Sequence, residues 1–263
     1  IAGRPSAGKT SFEGCMMTHN AKRGLPVARL SIDMNHRRVL ARDLCREAGV
    51  SLAKLNKGHA GAFQRDKIGE TAEQLAQWPM HIGDLQSVGN NIRAVKTWAR
   101  MAKLRWGIRA LSVDYIQQIR APDLYDGSNE YGEITHISGQ FKNLAEELDI
   151  PVIVLCQFNR SAERDEGRPK MSDLRGSGAL EQDASTITFV YKEPLFKYDQ
   201  TAGRVDQKTK RAVVFEVAKQ QDGEQGAFEY WFNCNYFNFS RAPVEWGYPE
   251  MFVTPEPKSK RKS

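Results

Sequence analysis

The sequence lacks closely spaced cysteines, and this absence excludes several classes of small, covalently stabilised domain. Its four cysteines, Cys15, Cys45, Cys156 and Cys234, lie far apart and form no Cys-x-x-Cys pair. A disulfide framework or a zinc site is therefore not expected, and the spacing favours a reducing compartment. We accordingly expect a cytoplasmic protein.

Long apolar runs are also missing. No stretch approaches the roughly 18–20 residues that a membrane-spanning helix needs, so we expect no membrane partner. Hydrophobic residues make up 40% of the 263 positions and charged residues 27%, which is ordinary for a soluble globular protein. The net charge of +6 suits an anionic partner only weakly, because many basic proteins bind no nucleic acid. Part of this charge lies in the terminal "PKSKRKS", a basic end that we expect to be disordered.

Apolar periodicity predicts alternating strands and helices through about residue 157. The predicted strands read "LPVARLSID", "MHIGD", "ALSVDYIQQI" and "PVIVLCQFNR". Strands without polar alternation are what a parallel sheet covered on both faces requires, so we predict a doubly wound α/β sheet. After a polar segment, "TITFVYK", "RAVVFEVAKQ" and "AFEYWFNCNYFNF" predict antiparallel strands that extend this sheet. No internal repeat or linker is evident, so we expect one domain.

The first ten residues contain a phosphate-binding loop. The pattern Gly-x-x-x-x-Gly-Lys-[Ser/Thr] is matched by Gly3, Arg4, Pro5, Ser6, Ala7, Gly8, Lys9 and Thr10. Glycines let backbone amides turn toward anionic oxygens, and the following helix N-terminus adds a positive dipole. We therefore predict that Lys9 contacts the β- and γ-phosphates of a nucleotide and that the Thr10 hydroxyl is a ligand of Mg²⁺.

Three further polar residues end predicted strands. Asp114 follows "ALSV", where a carboxylate would hold the metal through water at the edge at which ligands of open α/β sheets collect. Asp33 ends "RLSID", and a carboxylate there can orient and deprotonate the attacking water. Gln157 ends "IVLCQ", and its neutral amide can sense the γ-phosphate. Each of the last two is equally well an ordinary polar residue at a strand end.

Several stretches together resemble a known family. They are "GRPSAGKT", "SIDM", "VDYIQQI", "LCQFNRSAE", "DLRGSGALEQDA" and "KQQDG", in the order and approximate spacing of the DnaB-type replicative helicase C-terminal domain. The resemblance implies a RecA-like P-loop NTPase domain over residues 1–241, truncated at its N-terminus, with 242–263 as a C-terminal tail. It also implies ATP and Mg²⁺ as cofactors, a homo-hexameric ring around single-stranded DNA, and a primase or helicase loader as candidate partners.

The resemblance also implies roles for individual residues. The loop Arg175-Gly176-Ser177-Gly178 is similar to the DNA-binding loop of the family, where small residues and backbone amides can approach phosphates closely. Arg42 resembles the arginine that packs on the adenine base, although a solvated helix charge is an equal alternative. Lys219 resembles the basic residue that reaches the nucleotide of a neighbouring subunit.

Two departures from the family pattern concern turnover. The family has Glu in Ser-Leu-Glu-Met, whereas this chain has Asp33, whose side chain is one methylene shorter. The family pattern Lys-x-Arg-x-Gly reads Lys219-Gln220-Gln221-Asp222-Gly223 here, so the uncharged Gln221 occupies the arginine-finger position. Such fingers raise the turnover rate about 10³–10⁵-fold, and Arg211 or another basic residue is a candidate substitute. A phage or mobile-element origin would fit this divergence.

The leading functional hypothesis is an ATP- and Mg²⁺-dependent DNA helicase motor domain, with 5′–3′ translocation implied by the resemblance alone. Two alternatives remain open. One is a nucleotide-binding ring or scaffold protein that hydrolyses ATP poorly, which Asp33 and Gln221 would favour. The other is a RecA/KaiC-like ATPase that does not unwind duplexes.

Overall fold

The computed structural model describes residues 1–122, 124, 129–159, 168–174, 177–192 and 210–241, and it is an α/β fold. The helices are α1 (Lys9–Lys22), α2 (His36–Ala48), α3 (Leu52–Asn56), α4 (Ala62–Ala76), α5 (Ile92–Trp106), α6 (Glu130–Leu148) and α7 (Ser177–Asp183). The strands are β1 (Ala2–Gly3), β2 (Val27–Ser31), β3 (Met80–Asp84), β4 (Ala110–Asp114), β5 (Val152–Val154), β6 (Cys156–Gln157), β7 (Thr186–Tyr191), β8 (Lys210–Gln220), β9 (Gly226–Asn233) and β10 (Asn238–Arg241).

Four parallel strands form one sheet in the order β3-β2-β4-β5. Their carboxyl ends are aligned, because Ser31 on β2 pairs with Asp84 on one side and with Asp114 on the other. Two buried carboxylates therefore lie at the carboxyl edge of this sheet, on the strands that flank β2. Ligands of open parallel sheets collect at this edge.

Six strands form a second, mixed sheet in the order β10-β9-β8-β7-β1-β6. β1 runs parallel to β6 and β7, whereas β7, β8, β9 and β10 follow one another as antiparallel neighbours. The predicted combination of a parallel core with antiparallel C-terminal strands is thus confirmed.

The two sheets are connected at Leu155. The sequence predicted one continuous strand through "PVIVLCQFNR", but the chain changes partner at this residue and forms two short strands. The N–H of Leu155 donates to Val113 O at 2.9 Å, on β4, and the next N–H, of Cys156, donates to Ile1 O at 2.9 Å, before β1. Uniform apolar character cannot reveal such a change, because both partners bury the same kind of side chain.

Two helices show how local sequence sets a helix end and a buried face. Gly49 adopts the left-handed conformation, with φ of 63°, directly after α2, and its N–H donates to Arg46 O. On α5, Val95 and Ala99 are fully buried, whereas Leu104 is 90% exposed. This division is that of an amphipathic helix packed on a sheet.

One helix was not predicted. α7 is a single short helix whose first two residues, Ser177 and Gly178, belong to the predicted DNA-binding loop. It packs on α6, where the Ser138 hydroxyl donates to an Asp183 carboxylate oxygen at 2.6 Å.

The predicted basic tail, residues 242–263, lies outside the described residues. Among the described helices, none combines the length and the apolar character needed to cross a bilayer.

Candidate functional site

The predicted phosphate loop connects β1 to α1, and each of the two glycines that the motif requires has a structural reason. A Cβ on Gly3 would lie 2.3 Å from Val190 O on β7, so only glycine allows this approach of the two backbones. Gly8 has φ of 108° at the start of α1, a conformation that residues with a side chain rarely adopt. The sequence match therefore corresponds to the backbone shape that a phosphate loop requires.

Lys9 lies at the centre of this loop and is buried. Its ammonium donates to Gly3 O at 2.6 Å and to Arg4 O at 2.9 Å, both at the beginning of the loop. The ammonium is therefore held within the curve of the loop, where the phosphate oxygens of a nucleotide would compete with these carbonyl groups.

Thr10 and Asp114 are in direct contact. The Thr10 hydroxyl donates to Asp114 Oδ2 at 2.7 Å and joins the first turn of α1 to the end of β4. Burial raises the pKa of Asp114 from its ordinary value of 3.8 to about 6; the hydrogen bond from Thr10 opposes this shift, and the charges of Glu13 and Asp33 add to it. A divalent cation beside this carboxylate would favour its ionised form and offset the cost of burial.

The oxygen donors of Thr10 and Asp114 fit Mg²⁺. Within the described ranges, no three His, Cys, Asp or Glu side chains are grouped closely enough to hold a metal ion on their own. Mg²⁺ usually keeps several waters and takes one or two protein ligands together with substrate phosphates, so the two donors match that mode.

Asp33 is exposed in the turn between β2 and α2, close enough to Asp114 to raise its pKa. This turn is fastened at both ends. The Ile32 N–H donates to Asp114 O at 2.9 Å, and the His36 N–H donates to Asp84 Oδ2 at 2.9 Å. The geometry therefore places the predicted base beside the predicted metal carboxylate.

Asp84 was not singled out from the sequence, although it too ends a strand, "MHIGD". Its buried carboxylate also lies 2.7 Å from His36 Nδ1 and accepts from the Ser87 N–H at 3.0 Å. These hydrogen bonds, first of all that from the backbone N–H of His36, hold the pKa of Asp84 well below its usual range. Asp84 is thus an ionised anchor for the N-terminus of α2.

Gln157 lies directly opposite Gly3 in the parallel pair of β6 and β1. Its backbone is fixed by Gln117, whose side-chain amide donates to Gln157 O at 3.1 Å and accepts from Gln157 N at 3.2 Å. The predicted γ-phosphate sensor is therefore adjacent to the phosphate loop. Gln117 gave no sequence signal of its own beyond its place in "DYIQQI".

Arg42 lies near this site but contacts an aromatic side chain. Its guanidinium lies 5.1 Å from the centre of the Phe237 ring, and its buried Nε has no hydrogen-bond partner among the described residues. Burial lowers the pKa of Arg42, the charge of Arg38 lowers it further, and Asp114 and Asp33 oppose the shift. The alternative of a solvated helix charge does not describe this half-buried side chain.

Lys219 contacts a neighbouring helix of the same chain. Its ammonium donates to Glu181 O at 2.5 Å, in the last turn of α7. Gln221 is exposed in the turn after β8, where its N–H donates to Ser185 O at 3.1 Å. The side chain of Arg211, the suggested substitute finger, lies outside the described part of the structure.

The predicted DNA loop is only partly described. Arg175 and Gly176 lie outside the described residues, Ser177 begins α7, and Gly178 is exposed on that helix. A Cβ on Gly178 would lie 3.3 Å from the hydroxyl of Tyr131 on α6. The end of the loop therefore leads into the α6–α7 packing.

Comparison with known proteins gives consistent matches along the chain. A family model described as "DnaB-like helicase C terminal domain" matches residues 1–241. Replicative DNA helicase DnaB of Geobacillus stearothermophilus is 31% identical over 241 residues, and that of Pasteurella multocida is 34% identical over 245 residues. Each alignment covers 91% of this chain but 51% and 50% of the relative, so the chain spans about half the length of these curated relatives.

Two solved structures are similar over most of the chain. One is described as an ATPase domain, which matches with a TM-score of 0.79 and 27% identity, covering 92% of this chain and 84% of that one. The other is described as "The Structure Of A DnaB-Like Replicative Helicase And Its Interactions With Primase". It matches with the same TM-score and identity, covering 92% of this chain and 57% of that one.

Proposed function

This chain belongs to the DnaB-like helicase C-terminal domain family, and we propose that it is the ATP-driven motor of a replicative DNA helicase. The observation that carries the proposal is the 2.7 Å hydrogen bond between Thr10 and Asp114 beside the buried ammonium of Lys9. It joins the two predicted metal donors at the end of a phosphate loop of the required backbone shape.

In this proposal, the loop amides and Lys9 bind the phosphates of ATP. Thr10 and Asp114 hold Mg²⁺, which when bound neutralises charge that develops on the phosphates during transfer. Asp33, exposed in the turn between β2 and α2, accepts a proton from the attacking water. Gln157, fixed through its backbone by Gln117, contacts the γ-phosphate and responds to its loss.

We further propose how hydrolysis is used. Subunits assemble as a homo-hexamer around single-stranded DNA, and the loop at Arg175 follows the DNA backbone as nucleotide contacts at Gln157 and Lys219 change.

The proposal also covers domain bounds, a partner and the compartment. Residues 1–241 form the motor domain and 242–263 a tail. The relative whose structure was determined for its interactions with primase makes a primase a candidate partner. All four cysteines lie within the described residues and none forms a disulfide, which suits action in the cytoplasm.

A second function is favoured by Asp33 and Gln221. Asp33 is a shorter general base than Glu, and Gln221 brings no charge to the arginine-finger position. With these residues the protein would be a nucleotide-binding ring that hydrolyses ATP slowly. The two functions share the nucleotide site and differ in the rate of hydrolysis and in its response to DNA.

The test is ATP hydrolysis by the chain with and without single-stranded DNA. The motor function requires that DNA stimulate turnover and that Lys9→Ala reduce it roughly 100-fold or more. Lys22→Ala is the matched control, because Lys22 is an exposed lysine of the same helix that pairs with Glu47. Turnover that ignores both DNA and the loss of Lys9 would contradict the motor function.

A further inference from the structure

A cluster of charged side chains is buried beneath the nucleotide site, between α1, α2 and the parallel sheet. We call it the Glu13 cluster; its charged members are Glu13, Arg29, Asp43 and Arg46. All four are between 2% and 8% exposed, and they carry two negative and two positive charges. Such a group is tolerated in a protein interior only when every charge is paired and hydrogen-bonded.

Glu13 is bound from two neighbouring strands. From β2, Arg29 donates to both of its carboxylate oxygens, through Nε at 2.8 Å and Nη2 at 2.7 Å. From β4, the buried Ser112 hydroxyl donates to Oε1 of the same carboxylate at 2.5 Å. Glu13 therefore fastens α1 to two strands whose register pairs Arg29 with Ser112.

The contact between Glu13 and Ser112 runs beside the contact of the nucleotide site. Thr10 and Glu13 are three residues apart on α1 and lie on one helix face. Ser112 and Asp114 are two residues apart on β4 and lie on one strand face. The hydrogen bonds Thr10–Asp114 and Glu13–Ser112 are thus two successive links between the same helix and the same strand.

The rest of the cluster holds α2 against α1. Arg29 also donates to Asp43 on α2, and Asp43 pairs with Arg46 at 2.9 Å. Arg46 in turn donates to the Thr18 hydroxyl at 2.5 Å, further along α1. A side chain at Gly14 would meet this cluster at 3.0–3.2 Å, so the glycine permits its approach to α1.

We propose that Glu13 and Ser112 are positioning residues that hold α1 on β4 in the register at which Thr10 meets Asp114, and so set the affinity of the nucleotide site for its divalent cation. The inference rests on the proposed function, because it assigns the pair a role in that site. Both residues act on the cation through Thr10 and Asp114, by reducing the freedom of these two oxygen donors before the cation binds.

Ser112→Ala separates positioning from folding. It removes the link to β4 but leaves Glu13 paired with Arg29, so no buried charge loses its ionic partner. Thr18→Ala is the matched control, since it also removes a hydroxyl that binds a charged member of the cluster, but the bond it removes leads to Arg46 on α2 and not to β4. Ser112→Cys is a conservative variant, because it retains a weak donor of similar size.

The experiment titrates Mg²⁺ against the binding of a fluorescent ADP analogue, after thermal unfolding has shown each variant to be folded at the assay temperature. The Mg²⁺ midpoint is the Mg²⁺ concentration that gives half of the full effect on analogue binding. We expect Ser112→Ala to raise this midpoint about fivefold, which is the effect of losing one net hydrogen bond. The affinity for the analogue in EDTA should not change. Ser112→Cys should fall between Ser112→Ala and the parent, and Thr18→Ala should match the parent.

Two results would overturn the inference. The first is that Thr10→Ala shifts the Mg²⁺ midpoint but Ser112→Ala does not. This result would support the nucleotide site but contradict the positioning role. The other is an equal shift in Ser112→Ala and Thr18→Ala, which indicates general loosening of the cluster. If Thr10→Ala and Lys9→Ala also leave binding unchanged, the proposed function fails, and the positioning role fails with it.

Discussion

Thr10 on the first turn of α1 and Asp114 at the end of β4 are joined by a hydrogen bond although 104 residues separate them in the sequence. The bond satisfies the hydroxyl, but the buried carboxylate also lies next to the charges of Glu13 and Asp33. The arrangement is unfavourable for an ionised Asp114 in the metal-free protein and favourable for cation binding.

Asp114→Asn should therefore stabilise the metal-free protein while it weakens metal binding. Burial raises the pKa of Asp114 from 3.8 to about 6, so the stability that the protonated form confers is complete below pH 3.8 and lost as the pH rises through 6. In EDTA at about pH 8, we expect Asp114→Asn to raise the thermal midpoint by a few degrees. This increase in the thermal midpoint should become smaller as the pH falls toward about 4, because Asp114 of the parent protein is then protonated as well. A lower midpoint under the alkaline condition would contradict this expectation.

Gln221→Arg tests the missing finger. If turnover is limited by the absence of positive charge at this position, the substitution should raise DNA-stimulated ATP hydrolysis at least about tenfold, toward the roughly 10³–10⁵ that such arginines contribute. Gln221→Met, of similar length and uncharged, should leave the rate unchanged. No gain with arginine would imply that another basic residue already acts there.

Arg175→Ala tests the DNA loop. Because binding to the DNA backbone depends on positive charge, the substitution should weaken binding of a fluorescent oligonucleotide and reduce its salt dependence. Affinity for nucleotide should not change. Arg168→Ala is the control, since Arg168 is an exposed arginine nearby in the sequence that pairs with Glu216. Equal DNA binding by both variants would remove Arg175 from the interface.

Leu144→Ala tests the core beneath α6. Leu144 is fully buried, so the substitution should lower the free energy of unfolding by about 2–5 kcal/mol. Leu104→Ala, on the neighbouring α5, is the control because Leu104 is 90% exposed, and we expect a change within about 0.5 kcal/mol. Urea denaturation measures both. Similar losses in the two variants would contradict the packing described for these helices.

Local patterns in the sequence predicted much of this arrangement. The phosphate loop is a contiguous motif, and the apolar runs that lead to Asp33 and Asp114 are recognisable as strands. Gly49 terminates α2 through its own backbone conformation, which depends on no distant residue. Features that are encoded within a few neighbouring residues can be recognised without knowledge of the fold.

Other features depend on contacts between distant segments, and no local pattern identifies them. Arg29 on β2 appears in the sequence as a polar interruption of an apolar strand, and only the fold brings it against Glu13 and Asp43. Gln117 supports Gln157 only because the fold places β6 beside it. The short α7 lacks the length over which helical periodicity can be detected.

The change of partner at Leu155 has a mechanical consequence. The N–H of Leu155 bonds to β4 of one sheet, the next N–H, of Cys156, bonds to Ile1 directly before β1 of the other sheet, and Gln157 is the next residue. Neither sheet can slide along this segment without breaking hydrogen bonds on one side of Leu155. The segment therefore ties the two sheets together, and we expect a displacement of the backbone at Gln157 to strain hydrogen bonds to the sheet that carries Asp114 as well as to the sheet that carries Lys219.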